Sequence, residues 1–160
     1  MNIFYLNSDP TISAQKQYNK HVVKMILESA QLLCSAHHVL ESDIEVPYKL
    51  THKNHPSSLW ARESFENYSW LYAHFIALGE EYTKRYKKTH LTIIKCKDVL
   101  LFPPSKIPKV GFTNMPQCMP EEYMVTGDSV KAYRKYYLGD KFKICNLAKE
   151  TLYNNINQFN

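Results

Sequence analysis

The stretch NKHVVKMILESAQLLCSAHHVLE, residues 19–41, contains no glycine and no proline, and apolar residues run through it almost without a gap. Because glycine and proline are the residues least compatible with a helix interior, the stretch predicts a long helix over about residues 19–40. Apolar side chains occupy most of its circumference, which is typical of a helix at the centre of a fold. We therefore expect the rest of the chain to pack around this helix.

One stripe of this central helix is polar. His21, Lys24 and Glu28 lie within about 60° of one another on a helical wheel, and Gln31 and Ser35 extend the same arc. Buried charges without partners are strongly unfavourable, so the stripe must reach solvent, pair internally or line a cavity. We expect it to line a cavity. The alternative is an ion pair between Lys24 and Glu28, at i and i+4, that faces ordinary solvent.

Further helices are predicted on both sides of the central one. Asp9 before Pro10 combines a capping side chain with proline at the first helical position. Ser57 or Ser58 can cap a long helix in which apolar side chains recur at helical spacing. The predicted helices cover residues 10–18, 59–88, 91–102, 128–138 and about 141–156.

Two segments are expected to lack regular helical structure. Residues 3–6 form a short extended stretch, and residues 103–120 hold five of the eight prolines. Long ordered loops in compact domains tend to carry function. The expected fold is mainly α: a single-domain helical bundle over residues 1–160, with a short N-terminal extended segment and a long proline-rich loop.

A second polar stripe follows one edge of the predicted helix 59–88, and its members are Trp60, Glu63, Asn67, Trp70 and His74. Aromatic walls supply stacking area for a planar ligand, while carboxylate and amide groups read its edge. We expect the two tryptophans to stack a base and the amides of Asn67 and Gln31 to read it. The alternative is that the tryptophans belong to the core and that His74 is a hydrogen-bonded, partly buried histidine.

Residues from three other places are expected at the same pocket. His38 lies on the polar arc of the central helix, Asn54 and His55 lie in the connection before the second stripe, and Tyr123 lies in the loop MPEEYM. His37 falls on the apolar arc and is expected to be a buried structural histidine. Because no HExxH, CxxC or HxH spacing occurs, we predict no metal site and no cofactor.

Nucleic acid or a nucleotide is the expected partner. The chain carries a net charge of +5 and twelve tyrosines, and the segments EYTKRYKKTH and VKAYRKYYLGDKFK interleave cations with rings. That mixture suits phosphate attraction combined with base stacking, although solvated helix ends look similar because Lys and Arg are favoured in a last turn. The residues expected to contact a nucleic-acid backbone are Lys84, Arg85, Lys87, Lys131, Arg134 and Lys135.

Several classes of protein are disfavoured by what the sequence lacks. There is no GxGxxG, GxxxxGK[ST] or GxSxG motif, and four glycines in total are too few for a glycine-rich phosphate cradle. No apolar run approaches the roughly 20 residues that span a bilayer, and no secretory signal is evident. The four cysteines form no CxxC and are expected to be reduced thiols, so we predict a cytoplasmic protein.

Long blocks of the chain also resemble a family of small proteins found mostly in tailed phages. These blocks are DPTISAQ, KHVVKMILESAQLLCSAHHVL, NHPSSLWARESFENYSWL, EYTKRYKKTH and MPEEY with DSVKAYRKYY, and together they cover most of the chain. The resemblance implies a phage-encoded protein that acts in the cytoplasm of an infected bacterium. It assigns no catalytic residue.

The function expected from these features is hydrolysis or lyase chemistry at a nucleobase glycosidic bond. Glu28 or Glu63 would be the general acid or base, because a carboxylate between apolar walls has a raised pKa. Lys24 would bind a phosphate or, if desolvated, attack a sugar carbon as an amine, and His21 would hold a phosphate or move a proton. The alternatives are a non-catalytic nucleotide- or DNA-binding protein and a phage inhibitor of a host protein.

Overall fold

The computed structural model of the protein describes residues 1–146, and within that part all regular structure is helical. Two short 3₁₀ turns, Glu121–Tyr123 and Asp140–Ile144, flank the last α-helix. The α-helices in this part are α1 (Pro10–Gln15), α2 (Asn19–Val39), α3 (Pro56–Glu63), α4 (Phe65–Tyr86), α5 (Leu91–Leu100) and α6 (Ser129–Leu138). The mainly α prediction is therefore confirmed. The predicted helix 141–156 lies largely outside the described residues, and its first residues form the second 3₁₀ turn.

The central helix predicted from the sequence is α2, and its bounds agree to within one residue. Val22, Ile26 and Leu33 on it are fully buried, and the helix packs against α3, α4 and α5. Full burial of such a side chain contributes roughly 1.5–3 kcal/mol, so a helix with many of them is held by packing rather than by intrinsic propensity.

The predicted helix 59–88 is wrong in one respect, because the chain forms two helices there. Ser64 has an extended backbone (φ −149°, ψ 158°), and its side-chain oxygen accepts a hydrogen bond from the Asn67 N–H. A serine that bonds to the backbone in this way favours a helix cap over a helix interior. Ser64 thus ends α3 and begins α4, and it separates Glu63 from Asn67, which the sequence interpretation had placed on one helix.

Helix α5 confirms the helical prediction for a β-branched segment. His90 caps it by accepting the Thr92 N–H, and the preceding α4 ends at Lys87, whose φ of 58° is left-handed. Gly79 on α4 lies against Ile93 on α5: a Cβ added to Gly79 would lie 2.5 Å from the Ile93 Cδ1. The missing side chain lets the two helices approach closely.

The N-terminal segment, residues 3–6, is buried in the core, but it is not extended throughout as predicted, because Phe4 has a φ of 57° and the Leu6 N–H donates back to the Phe4 carbonyl. Ile3 and Leu6 are fully buried. Ser13 on α1 accepts the Leu6 N–H through its hydroxyl, and the side-chain amide of Gln17 donates to the Ile3 carbonyl. Side chains therefore make the hydrogen bonds to this backbone that a neighbouring strand would make in a sheet.

The proline-rich loop, residues 103–120, is irregular, as predicted, but it is anchored. Tyr133 on α6 donates its hydroxyl to the Pro116 carbonyl and accepts the Cys118 N–H, and Ser129 donates to the Met115 carbonyl. One connected set of buried residues runs from the N-terminal segment through α2 and α4 to α6. That all 160 residues form a single domain stays a prediction.

Candidate active site around Glu28

Glu28 lies on α2 with a cation on one side and a backbone donor on the other. One carboxylate oxygen, Oε1, is 3.4 Å from Lys24 Nζ, and the other, Oε2, accepts a hydrogen bond of 3.2 Å from the Asn2 N–H. The side chain is only 14% exposed. Lys24 and Glu28, two members of the predicted polar stripe, therefore pair with each other. The Glu28 carboxylate lies among polar partners rather than between apolar walls.

The Asn2 side chain fixes the chain's first residues against this carboxylate. Its amide nitrogen donates to the Cys118 carbonyl at 2.8 Å, while its oxygen accepts the N–H groups of Ile3 and Phe4 at 2.7 and 3.1 Å. Phe4 has a left-handed backbone (φ 57°), which is uncommon for a residue with a bulky side chain. Asn2 thereby joins three elements at Glu28: the N-terminal segment, α2 and the proline-rich loop.

His55 lies next to the same group of residues. It caps α3, and its Nδ1 accepts the Ser57 N–H at 3.1 Å, so a neutral ring carries its proton on Nε2. Burial lowers the pKa of His55, and the positive charges of the Met1 α-amino group and His52 lower it further, while Glu28 acts in the opposite direction. His55 was predicted at the pocket, and the structure brings it close to Glu28.

Lys24 lies at the surface, beside the Glu28 carboxylate. Its side chain is 69% exposed, so this cation borders the carboxylate on its solvent side. The predicted roles of Lys24, contact with a phosphate or attack as an amine, stay predictions.

His21 is packed among aromatic rings, and its predicted role in holding a phosphate or moving a proton stays a prediction. It is 7% exposed, its ring stacks on Phe4 with centroids 4.1 Å apart, and its Nδ1 is 2.6 Å from the Tyr137 hydroxyl. Burial lowers its pKa to about 3, with further lowering by Lys141 and Lys24. The ring is therefore neutral at physiological pH and packs the N-terminal segment against α6.

The polar edge formed by Glu63 and Asn67 holds the proline-rich loop instead of a ligand. Asn67 is fully buried; its side-chain oxygen accepts the Thr113 N–H and its amide donates to the Thr113 hydroxyl. That hydroxyl donates to Glu63 at 2.7 Å, and the Trp60 indole donates to the Thr113 carbonyl. A loop residue thus uses both ends of the Asn67 amide, and the reading of a base by Asn67 stays a prediction.

Trp70 and His74 are also structural. The Trp70 indole donates to the Ser8 carbonyl at 2.7 Å and stacks on the His74 ring. His74 is fully buried between the Pro10 carbonyl, 2.9 Å from its Nδ1, and the Gln17 amide, 3.1 Å from its Nε2. Burial lowers the pKa of His74 to about 4. The alternative interpretation, a hydrogen-bonded core histidine, is the correct one here.

The paired histidines at the end of α2 have different surroundings. His37 is buried, with its Nε2 2.9 Å from the Tyr68 hydroxyl and its Nδ1 3.0 Å from the Ser42 hydroxyl, so the predicted structural role is confirmed. His38 is exposed and donates through Nε2 to the Tyr48 carbonyl at 2.8 Å. This contact ties α2 to the following connection.

The remaining predicted pocket residues are not gathered at Glu28 by any described contact. Gln31 is half-buried on α2, and Asn54 is exposed in the connection before α3. Tyr123 packs on Tyr136, with ring centroids 5.2 Å apart. Their assignment to ligand binding stays a prediction.

Two cavities open along the proline-rich loop. We call the first the Phe112 cavity; it encloses about 460 Å³. The second, the Trp60 cavity, encloses about 580 Å³, and the two share Asn114 and Pro116. The Phe112 cavity is lined chiefly by Tyr5, Phe112, Asn114, Gln117, Asp128 and Ser129. The Trp60 cavity is lined chiefly by Leu40, Leu59, Trp60, Arg62, Glu63 and Pro108.

Glu28 lines neither of these two cavities. The expectation that both polar stripes face one shared cavity is therefore wrong. The reason is the proline-rich loop, whose residue Thr113 occupies the polar edge of α3 and α4. Sequence periodicity locates a polar edge, but it does not show which distant segment covers that edge.

The cations predicted to contact a nucleic-acid backbone divide into two groups. Arg85 has a side chain that is 2% exposed and bonds to Glu81 and to the Gln15 and Gln17 carbonyls, so its assignment to backbone contact is wrong. Arg134 is half-buried and donates to the Leu6 carbonyl. The exposed members are Lys84, Lys87, Lys131 and Lys135.

Neither a metal cluster nor a membrane-spanning helix occurs in the part of the chain that the structure describes. No three His, Cys, Asp or Glu side chains come together there as ligands for an ion. None of the helices in residues 1–146 is long and apolar enough to cross a bilayer.

The sequence interpretation missed three residues that build the site: Asn2, Cys118 and Thr113. No local pattern points to Asn2, because its partners are 26 and 116 positions away along the chain. For the other two the only sequence signal was the long proline-rich loop, which indicated a functional segment but not its contacts.

Comparison with known proteins found a family match. A family model described as pyrimidine dimer DNA glycosylase matches residues 1–94. That range includes Asn2, Glu28 and His55 and ends within α5. Neither the search of curated proteins nor the search of solved structures found a match. The match carries no information about a phage source, which stays a prediction.

Proposed function

Because this chain belongs to the pyrimidine dimer DNA glycosylase family, we propose that it cleaves the glycosidic bond of one pyrimidine of a dimer in DNA, and that Glu28 is the carboxylate that drives the reaction. The freed base stays joined to its neighbour through the dimer. The family match supports cleavage of a nucleobase glycosidic bond in DNA, the class of reaction expected from the sequence. The observation that carries the residue assignment is the position of Glu28: partly buried, within the matched range, and adjacent to an exposed cation.

Cleavage of the glycosidic bond requires a group that stabilises positive charge on the sugar. When the bond from C1′ to the base nitrogen breaks, its electron pair goes to the base, and the sugar passes through a cationic transition state. A carboxylate fixed by a backbone N–H and a neighbouring ammonium group is preorganised to stabilise that charge. The hydrogen bond from Asn2 holds one oxygen of Glu28 in place and leaves the other near Lys24.

Two nucleophiles can complete the exchange at C1′. If water attacks, Glu28 accepts the proton that water loses, and the departing base is protonated from solvent. If an amine attacks, a C1′–N bond replaces the bond to the base, the proton lost by the amine is balanced by the one the base gains, and ring opening gives an imine. Two amines are candidates: Lys24 Nζ, 3.4 Å from Glu28 Oε1, and the α-amino group of Met1, the residue before Asn2, whose N–H donates to Glu28.

Of the two amines, the α-amino group is chemically the better nucleophile. A chain α-amino group has an ordinary pKa near 7.7–8.0, whereas that of lysine is near 10.4, so a larger fraction is uncharged at neutral pH. The α-amino group also lies close enough to His55 to lower the pKa of that ring. The exposed Lys24 then acts as a phosphate contact, which agrees with the charge that the DNA backbone presents.

The substrate assignment is tested with matched DNA duplexes. One duplex carries a single cyclobutane pyrimidine dimer and the other is identical but undamaged. We expect the protein to break the glycosidic bond of the dimer-containing strand only, so that alkali or heat cleaves that strand at the lesion. Tight binding of the dimer duplex without cleavage of the glycosidic bond would contradict the proposal and would favour the non-catalytic alternative.

The nucleophile is tested by reduction during turnover. Borohydride converts an imine between protein and DNA into a stable amine link, which is visible as a slower protein band. Peptide mass spectrometry of that band identifies the linked residue, and we expect the α-amino group rather than Lys24. A complete absence of the linked band, with full cleavage of the glycosidic bond, would indicate that water is the nucleophile.

A further inference from the structure

Helix α5 presents large apolar side chains to solvent as well as to the core. Leu100 is fully buried, whereas Leu91 and Ile94 are 59% and 60% exposed. The exposed side continues past the end of the helix, because Leu101 keeps a helical backbone (φ −57°, ψ −32°). We call the exposed apolar set the α5 face, and its members are Leu91, Ile94, Leu101 and Phe102.

The α5 face has the spacing of a surface that pairs with another helix. Residues on this side recur at steps of three, four and three along the chain: Leu91, Ile94, Asp98 and Leu101. That alternation is the one by which a helix packs along a second helix. Single exposed apolar side chains are common in monomers, but a contiguous apolar patch marks a site of association.

A groove beside the α5 face widens this surface towards α4. It encloses about 520 Å³, and Ile76 of α4 and Ile93 of α5 are among its lining residues. Charged residues of both helices, Glu80, Lys84 and Lys97, also line it. A partner that covers the α5 face therefore meets an apolar ridge with a groove next to it, which is the relief that helix packing uses.

One carboxylate interrupts the α5 face and limits what can cover it. At about 100° per residue, Asp98 projects between Ile94 and Leu91, and Lys95 lies at the edge of the same face. Within residues 1–146, no ion pair joins Asp98 or Lys95 to another side chain. Because a charge buried without a partner is strongly unfavourable, the covering surface must bring a cation to Asp98.

A second copy of this chain brings that cation in the right place. When two α5 helices pair antiparallel about a twofold axis between positions 96 and 97, Asp98 of each copy lies opposite Lys95 of the other. Twofold symmetry makes this contact twice. A parallel pair would instead set the two Asp98 carboxylates against each other, so the charges favour the antiparallel orientation.

We propose that the α5 face is the interface of a homodimer, in which two α5 helices pack antiparallel and Asp98 of each copy binds Lys95 of the other. This inference goes beyond the proposed function, and most of α5 lies past the matched range, which ends at residue 94. Asn2 and Glu28 are not part of the α5 face, so each copy keeps its own Glu28 site. An interface of one helix and a groove is small, and the dimer therefore exchanges with the monomer.

Sedimentation of the full chain over a range of protein concentrations tests the interface. The measured mass should rise with concentration from 18.8 kDa towards twice that value. Ile94→Glu places a charge on the α5 face and should hold the protein at the monomer mass at every concentration. Val110→Glu is the matched control, since Val110 is a 68% exposed residue of the proline-rich loop, and it should dimerise as the parent does.

Charge reversal tests the antiparallel orientation. Asp98→Lys alone and Lys95→Asp alone each set like charges opposite each other, so each should lower the dimer fraction at a given concentration. The double variant Lys95→Asp/Asp98→Lys brings opposite charges together again and should recover the dimer fraction of the parent. Circular dichroism confirms that each variant is folded.

Three results would overturn the proposal. A parent that stays at the monomer mass at all concentrations would mean that a different protein, or another part of this chain, covers the α5 face. A dimer that persists in Ile94→Glu would locate the interface elsewhere on the molecule. A double variant that dimerises no better than the two single variants would contradict the contact between Asp98 and Lys95.

Discussion

The Asn2 N–H donates a hydrogen bond of 3.2 Å to Glu28, which connects the start of the chain to the middle of its most buried helix. The Asn2 side chain makes the geometry possible, because it closes a turn over Ile3 and Phe4 and anchors to the Cys118 carbonyl. The site is therefore built by three segments that are distant in sequence. Its activity should depend on residues that touch no substrate.

Substitution Asn2→Ala should lower the rate of glycosidic cleavage more than it lowers stability. It removes the side-chain bonds that orient the N-terminal segment, at a cost of about 1–2 kcal/mol of folding free energy, and it lets the Glu28 partner move. We expect at least a tenfold lower single-turnover rate with a Tm only a few degrees lower. Asn7→Ala is the control, since Asn7 accepts only the exposed Asp9 N–H. Equal effects of the two variants on the rate would contradict the role of Asn2.

Lys24→Gln should weaken DNA binding with little change in the chemical step. Lys24 is 69% exposed beside Glu28, and loss of one phosphate contact reduces the slope of log Kd against log salt by about one. The measurement is a salt titration of binding to the dimer duplex, with Lys97→Gln on α5 as an exposed control. An unchanged slope for Lys24→Gln would show that this ammonium group does not meet a phosphate.

Acid should destabilise the protein through its buried histidines. In the folded state burial lowers the pKa of His74 from 6.5 to about 4, so below pH 6.5 the unfolded chain binds a proton that the folded chain does not. Stability is therefore highest above pH 6.5 and falls between pH 6.5 and 4, with His74 responsible for about 3 kcal/mol. Urea unfolding at several pH values measures this loss.

The matched variants for that measurement are His74→Gln and His52→Gln. His74→Gln should be less stable than the parent at pH 7.5 but should lose less stability on acidification. His52 is exposed, so its substitution should leave the pH dependence as it is. A parent-like pH dependence in His74→Gln would assign the acid sensitivity to other groups.

The helix break at Ser64 predicts a specific capping energy. Ser64→Ala removes the acceptor of the Asn67 N–H at the start of α4, which should lower the free energy of unfolding by about 1 kcal/mol. Ser69→Ala, within α4, removes only a bond to the Phe65 carbonyl and should be nearly neutral. Thermal unfolding measures the loss of stability in each variant. Similar losses in the two variants would show that the fold does not depend on Ser64 as a helix cap.

The sequence predicted the helices well because their information is local. Helix α2 follows from the spacing of its own apolar residues, and α1 follows from Asp9 and Pro10, so both were found. The break at Ser64 was missed because a serine is acceptable both as a cap and inside a helix, and the choice depends on the loop that fills the space beside it. The class of reaction was also predicted, from a carboxylate and an amine on one helix face, and it agrees with the family match.

The site itself could be predicted only in part. Glu28 and Lys24 are four residues apart on one helix, so their pairing follows from helical geometry. Asn67 and His74 look equally suited to a ligand in the sequence, yet their partners, Thr113 and Gln17, come from other parts of the chain. Any buried polar side chain needs a partner, and the sequence alone does not say whether that partner is protein or ligand.

The central claim is that the Glu28 carboxylate drives cleavage of the glycosidic bond, and a single-turnover assay on the dimer duplex tests it most directly. Glu28→Gln keeps the size of the side chain and removes its charge, and Glu80→Gln on the exposed side of α4 is the matched control. The account predicts that Glu28→Gln cleaves the glycosidic bond at least about 100-fold more slowly while Glu80→Gln matches the parent. A rate for folded Glu28→Gln within about threefold of the parent, far short of the loss expected for a catalytic carboxylate, would contradict it.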